Sequence, residues 1–295
     1  MKNPVLNAPR SSRNFFRVMS VVAFTGVLAA TTAQASTVAS SELDLNYVPS
    51  VLDMGDAQKR GNVAKYKLLA GAAITAPGTV VDGDVGANAA ITVAGTEVMG
   101  RIEAGAALTG DAKHFNQVTQ ETFDALAKLK TLHKEGMEYV AGLVDAKVNG
   151  LSSNLPVTPS NPADPVPVEM IKDLAGQTLT SGVYYSSVSY SISGSVAHLV
   201  LDGQRMDGLA SDAVWIFQTD ASVVVNAGRQ MQLINGAQAK NVFWLVNGAV
   251  TTGAGAAIVG NFISNTAISL GAGTTLDGRA LSSKAAITAA GSVVN

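Results

Sequence analysis

The chain has 295 residues, 20 Lys and Arg against 22 Asp and Glu, a formal charge of −2, and no cysteine. That excludes disulfide staples, thiol catalysis and cysteine-ligated metal, and the acidic balance argues against nucleic acid or anionic membrane surfaces as partners. Only 14% of the residues are charged and 5% aromatic, so part of the surface must consist of small, weakly polar side chains, and a large surface of that kind usually has a purpose.

Lys2, Arg10, Arg13 and Arg17 open the chain with no acid among the first 35 residues, Val18 to Ala30 is apolar, and Ala33-Gln34-Ala35 fits a small-x-small cleavage site. The apolar run is short for a bilayer, so residues 1–35 read as a secretory signal peptide rather than a membrane anchor. Without them, 16 basic residues face 22 acidic ones, a formal −6. Residues 36–60 are polar and irregular and read as an N-terminal arm. The remainder, 61–295, is large enough for one domain with a real core.

From Lys65 the text becomes short apolar runs broken by Gly, Asp and Asn, as in Lys67-Leu68-Leu69-Ala70-Gly71 and Val80-Val81-Asp82-Gly83-Asp84-Val85-Gly86. Short strands with glycine corners suit a β-solenoid or sandwich. One triplet recurs: Ala73-Ile74-Thr75, Ala90-Ile91-Thr92 and Ala107-Leu108-Thr109 start 17 residues apart. A fixed period near 20 residues marks a solenoid, in which each coil stacks on the one before.

Near Asp111 the period changes. Phe115, Val118, Thr122, Leu126, Leu129, Leu132, Met137, Val140 and Val144 follow a helical stripe, with Glu121, Lys128, Lys130 and Glu135 on the other faces. This predicts an amphipathic helix over about 112–148 whose stripe lies against the flank of the solenoid. Gly136 and Gly142 read as places where it bends or breaks. Five prolines between Pro156 and Pro167 predict an extended surface loop over 152–168. A domain boundary there is the alternative, but repeats of one kind lie on both sides.

Beyond Val214 three columns of strands can be read. One holds Val214-Trp215-Ile216-Phe217, Val242-Phe243-Trp244-Leu245 and Asn261-Phe262-Ile263-Ser264. The second holds Ser222-Val223-Val224, Ala249-Val250-Thr251, Ala267-Ile268-Ser269 and Ala286-Ile287-Thr288. The third holds Gln232-Leu233-Ile234, Ala257-Ile258-Val259 and Thr275-Leu276-Asp277. Three columns per coil imply a triangular section, so the expected fold is mostly β: an irregular β-solenoid with one long α-helix along its side.

Signals for catalysis and metal are sparse. His114, His133 and His198 have no metal-ligand spacing, and neither a nucleophile elbow nor a phosphate loop occurs. Asp82 and Asp84 could face one way on a strand, as paired acids or calcium ligands would, but Val-Asp-Gly-Asp-Val-Gly reads as a corner of turn formers. No cofactor and no metal is expected, and the protein reads as a non-enzyme. On the second column, strand alternation sends the middle of each triplet inward and its flanks outward. The outward residues are Ala73, Thr75, Ala90, Thr92, Ser222, Val224, Ala249, Thr251, Ala267, Ser269, Ala286 and Thr288. Whether Ala107 and Thr109 join them depends on how the chain enters the helix.

The text also resembles a family. Gly176 to Tyr184, Val214 to Gln218, the stretch Asn235-Gly236-Ala237-Gln238-Ala239-Lys240-Asn241-Val242-Phe243-Trp244, Gly260 to Ile263 and Leu276 to Leu281 resemble the secreted ice-binding, or antifreeze, proteins of bacteria, fungi, yeasts and diatoms. Lys67 to Gly71 and Gly83 to Gly86 extend the likeness toward the N-terminus, so it covers about 60–295. Ser181 departs from the Pro usual in the family, and the helix with its Pro-rich segment is longer. The resemblance implies a discontinuous β-solenoid with a flanking helix and one flat face that binds ice. By position the second column is that face. The partner is then an ice crystal surface, with no nucleic acid and no membrane. The protein is expected to be a secreted, extracellular monomer, periplasmic retention remaining open. The alternatives are an adhesive or structural module of the same fold, and a polysaccharide enzyme, which would need an acid cluster in a groove.

Overall fold

A computed structural model describes residues 52–55, 62–110, 115–117, 120–148, 168–169, 173–194, 198–203 and 213–295. All of them fall within one compact unit, residues 36–295. The expected signal peptide, nearly all of the Pro-rich loop and His114 lie outside the described residues.

The three columns of the sequence are three parallel sheets wound into a solenoid. The first runs through Gly182–Ser186, Trp215–Thr219, Val242–Val246, Ala257–Ser264, Thr275–Ser282, Tyr66–Ala70, Asp84–Ala87, Ile102–Ala104 and Phe115–Gln117. The stacking order is therefore not the chain order. The C-terminal coils come first, and the N-terminal coils stack onto the last of them, with Leu68 paired to Ala280 and Ile74 to Ile287. This seam joins segments about two hundred residues apart in the chain.

Ala257–Ser264 and Thr275–Ser282 turn a corner midway, at Gly260 (φ 106°) and Gly278 (φ 143°), and so serve two faces. Only glycine fits there. A Cβ on Gly278 would lie 2.1 Å from the Gly260 carbonyl oxygen.

Inside, the alternate residues of each strand meet. Tyr184, Phe217, Trp244 and Phe262 occupy one register position on successive strands. Their rings stack with centroids 5.0, 4.1 and 5.4 Å apart, and Tyr190 packs edge-on to Phe217 and Trp244. Each such aromatic pair adds about 0.5–1.5 kcal/mol beyond area burial. Polar groups at the corners are satisfied rather than excluded: the buried Ser264 and Ser282 hydroxyls donate to the Gly248 and Thr266 carbonyls, both at 2.8 Å.

The helix, α1 (Gln120–Val148), lies on the outside of the first sheet. Ala125, Leu126, Leu129, Leu132 and Val140 meet Val183, Ile216, Phe243, Leu245, Ile263 and Leu281. It begins later than the stripe suggests, because Phe115–Gln117 instead adds a strand to Ile102–Ala104. Neither glycine breaks it. Gly136 faces the sheet, where a Cβ would sit 2.9 Å from Leu52 Cδ2 and 3.0 Å from Leu245 Cδ1. Leu52, from the segment read as a polar arm, is fully buried in this interface with Met54 beside it.

Candidate functional site

The three outer faces differ in what they show to water. The first is covered by α1. The third, built from Thr178–Thr180, Leu199–Asp202, Met231–Ile234, the first halves of the two long strands, Val293–Val294, Val80–Val81 and Glu97–Val98, points Asp202, Asp277 and Glu97 outward. The second is different in kind. Its eight strands stack as Tyr190–Ile192, Val223–Val225, Val250–Thr252, Ile268–Leu270, Ile287–Ala289, Ile74–Thr75, Ile91–Thr92 and Leu108–Thr109.

Strand pairing puts Ser191, Val224, Thr251, Ser269, Thr288, Thr75, Thr92 and Thr109 in one outward column. Backbone hydrogen bonds align a second column beside it: the amides of Val223, Val250, Ile268, Ile287, Ile74 and Ile91 donate to the carbonyls of Ala249, Ala267, Ala286, Ala73, Ala90 and Ala107. That places Ser222 and the six alanines one above another. Between the columns Ile74, Ile91, Val250, Ile268 and Ile287 are fully buried. All twelve residues expected on this face are on it, together with Ala107, Thr109 and Ser191. Ser191 carries no triplet signal in the sequence, because its strand begins with Tyr190 rather than an aliphatic residue.

No residue of either column is charged. Parallel rungs repeat about every 4.8 Å, so the six from Thr251 to Thr109 cover roughly 24 Å. Threonine is stiff at χ1, and the strands beneath are pinned by buried aliphatic residues, so the hydroxyls and methyls are held in a fixed array. Such an array can order water by hydrogen bonding at the hydroxyls and by caging at the methyls.

The charged groups gather elsewhere. Where the helix starts, Lys65 bonds Glu121 and lies 3.6 Å from Asp84, while Arg101 reaches Asp84 at 3.2 Å and Glu121 at 3.3 Å. Buried Glu103 accepts from Tyr66 at 3.0 Å and from Thr122. Burial alone would raise the Glu121 carboxyl, but hydrogen bonds from Lys65 and Arg101 outweigh it and hold it below the usual range. Asp84 thus starts a strand, not a turn, and its carboxylate accepts the Arg101 amide at 2.8 Å. This cluster ties the helix to the coils and is no cleft of paired acids. His133 is buried against the Val246 carbonyl at 3.1 Å. Among the described residues there is no group of three or more His, Asp or Glu able to hold a metal, and no helix is long and apolar enough to cross a membrane.

Known proteins of this kind carry the same architecture. The crystal structure of an ice-binding protein from the Antarctic ascomycete Antarctomyces psychrotrophicus is similar over 83% of this chain and 97% of that one, with a TM-score of 0.59 and 25% identity. One from an Antarctic Flavobacteriaceae bacterium matches 81% of this chain and 47% of its own, with a TM-score of 0.58 and 30% identity. In sequence, ice-binding protein K3-B1 of Typhula ishikariensis is 38% identical over 93 residues, 32% of this chain and 35% of that protein. Ice-binding protein 1 of Shewanella frigidimarina is 26% identical over 228 residues, 75% of this chain and 24% of that protein. The chain thus spans about a third or less of the length of the curated relatives it matches. The ice-binding-like family model matches residues 68–295, from the first inward leucine of the N-terminal coils to the last residue, and the chain belongs to that family.

Proposed function

We propose that the protein is an ice-binding protein that adsorbs to ice through the second face and inhibits crystal growth or recrystallisation. The observation that carries this reading is the contrast between the faces. One is covered by helix, one is charged, and one is an uncharged, regular array of Ala methyls and Thr or Ser hydroxyls on a rigid base. Adsorption needs many weak contacts made at once. A preorganised face loses little entropy on binding, so small gains per rung can add. Adsorption between growth steps forces the ice front to curve, which lowers its local freezing point.

The protein is then non-enzymatic, its partner is the crystal surface, and the contact lies on the face that carries the twelve sequence-expected residues. The basic, then apolar, then small-x-small pattern of residues 1–35 supports secretion to the medium. The test is thermal hysteresis with crystal shaping. Purified protein should open a gap between melting and freezing and facet the crystal, and Thr251→Tyr should narrow the gap, because the ring stands proud of a flat face. A wild type that shows neither gap nor faceting ends this reading.

A further inference from the structure

The eight rungs of the second face are not chemically alike. From Thr251 to Thr109 every rung presents Ala on one column and Thr or Ser on the other. At Ser222–Val224 the order inverts. Val224, 38% exposed, puts methyls where its neighbours put hydroxyls. The Ser222 hydroxyl is not offered to solvent in the same way, since it accepts the Ala249 amide at 3.2 Å, as the Ser189 hydroxyl accepts the Ser222 amide at 3.2 Å.

The next rung, Ser191, is also committed. Asp173 is bridge-paired beside it, and hydrogen bonds from Ser193, the Ala175 and Ser193 amides and Ser191 outweigh burial and keep that carboxyl below its usual range. An ionised carboxylate gives up its water reluctantly. Three features therefore end the array on this side: an inverted rung, hydroxyls that accept from backbone amides, and a charge.

We infer that the unit read by ice is the Ala-then-hydroxyl rung, that the recognition block is the six rungs from Thr251 to Thr109, and that Val224 is the residue that ends it. This rests on the ice-binding reading of the face. Three of the six rungs come from the C-terminal coils and three from the N-terminal coils, so the block is centred on the seam between Thr288 and Thr75. It is complete only when the two halves of the chain have closed on each other.

Two double variants test this by thermal hysteresis, with thermal melts to establish folding. Ser222→Ala with Val224→Thr converts the boundary rung to the repeating order and lengthens the block; the gap should widen beyond the wild type. Ala267→Ser with Ser269→Val inverts an inner rung and divides the block; most of the gap should be lost. Should the loss of the Ser222 acceptor weaken the corner, Val224→Thr alone still restores the hydroxyl column and should widen the gap. An inverted inner rung that keeps the wild-type gap overturns the inference, as does a folded Val224→Thr protein with no gain. An inert wild type ends the ice-binding reading and this inference together, whereas an active wild type with indifferent variants ends this inference alone.

Discussion

Gly136 and Gly142 lie six residues apart on one helix, and the structure assigns their substitution opposite signs. At Gly142 an added Cβ would meet nothing within 4 Å. Gly142→Ala should therefore gain the helix-propensity difference alone, up to about 1 kcal/mol. At Gly136 a Cβ would meet Leu52 Cδ2 at 2.9 Å and Leu245 side-chain carbons at 3.0 and 3.1 Å, and both leucines are fully buried. Gly136→Val adds two further methyls to that contact. Its propensity gain is only about half that of Ala, since a β-branched side chain is restricted in a helix. Forcing volume into a packed interface costs about 1–3 kcal/mol, so after the propensity gain the net loss is about 0.5–2.5 kcal/mol. At this chain size each kcal/mol moves the melting temperature by about 2–4 °C. Circular dichroism melts of the two variants beside the wild type read both shifts. Should Gly136→Val melt at or above the wild type, the helix does not approach the sheet as described.

Other consequences can be measured the same way. Trp244→Ala removes the middle of the aromatic stack and leaves the Val259 carbonyl without its indole donor; denaturant titration should show a loss of about 3–5 kcal/mol. Burial pushes His133 below its ordinary value of 6.5, only partly offset by its bond to the Val246 carbonyl. The unfolded chain then binds more protons, so the contribution of His133 is complete above about pH 6.5 and is lost as pH falls through the folded value. His133→Gln should flatten that part of the stability profile. Glu121, held low by Lys65 and Arg101, acts in a lower window: its contribution is complete above the ordinary value of 4.5 and fails as pH drops through the depressed one. Glu121→Gln should lower stability at neutral pH and blunt the acid loss.

The columns were legible because a parallel coil repeats the same local problem. Ile74, Ile268 and Ile287 must point inward wherever their strand lies, so Ala and Thr beside them must point out, and no partner strand is needed to say so. The helix was legible through its stripe. The seam was not, because the pairing of Ile74 with Ile287 joins distant segments and leaves no local trace. Gly136 looked like a flaw in a helix because its reason, the leucines of another element, is tertiary. Leu52 was hidden in a polar stretch for the same cause. Asp84 read as a turn former beside Gly83, whereas its strand and its partner Arg101 are set by the neighbouring coil. For Ala107 and Thr109 the nearby helix makes the sequence ambiguous, and the pairing of Leu108–Thr109 with Ile91–Thr92 puts them on the face.

The claim that one face carries the activity is tested most directly by thermal hysteresis of two matched variants. Thr288→Tyr places a ring at the centre of the second face. Thr275→Tyr places the same ring at an exposed strand position of the charged third face. The gap should be nearly abolished in the first and unchanged in the second, with both proteins melting like the wild type. Equal gaps in the two variants, or a loss confined to Thr275→Tyr, would contradict it.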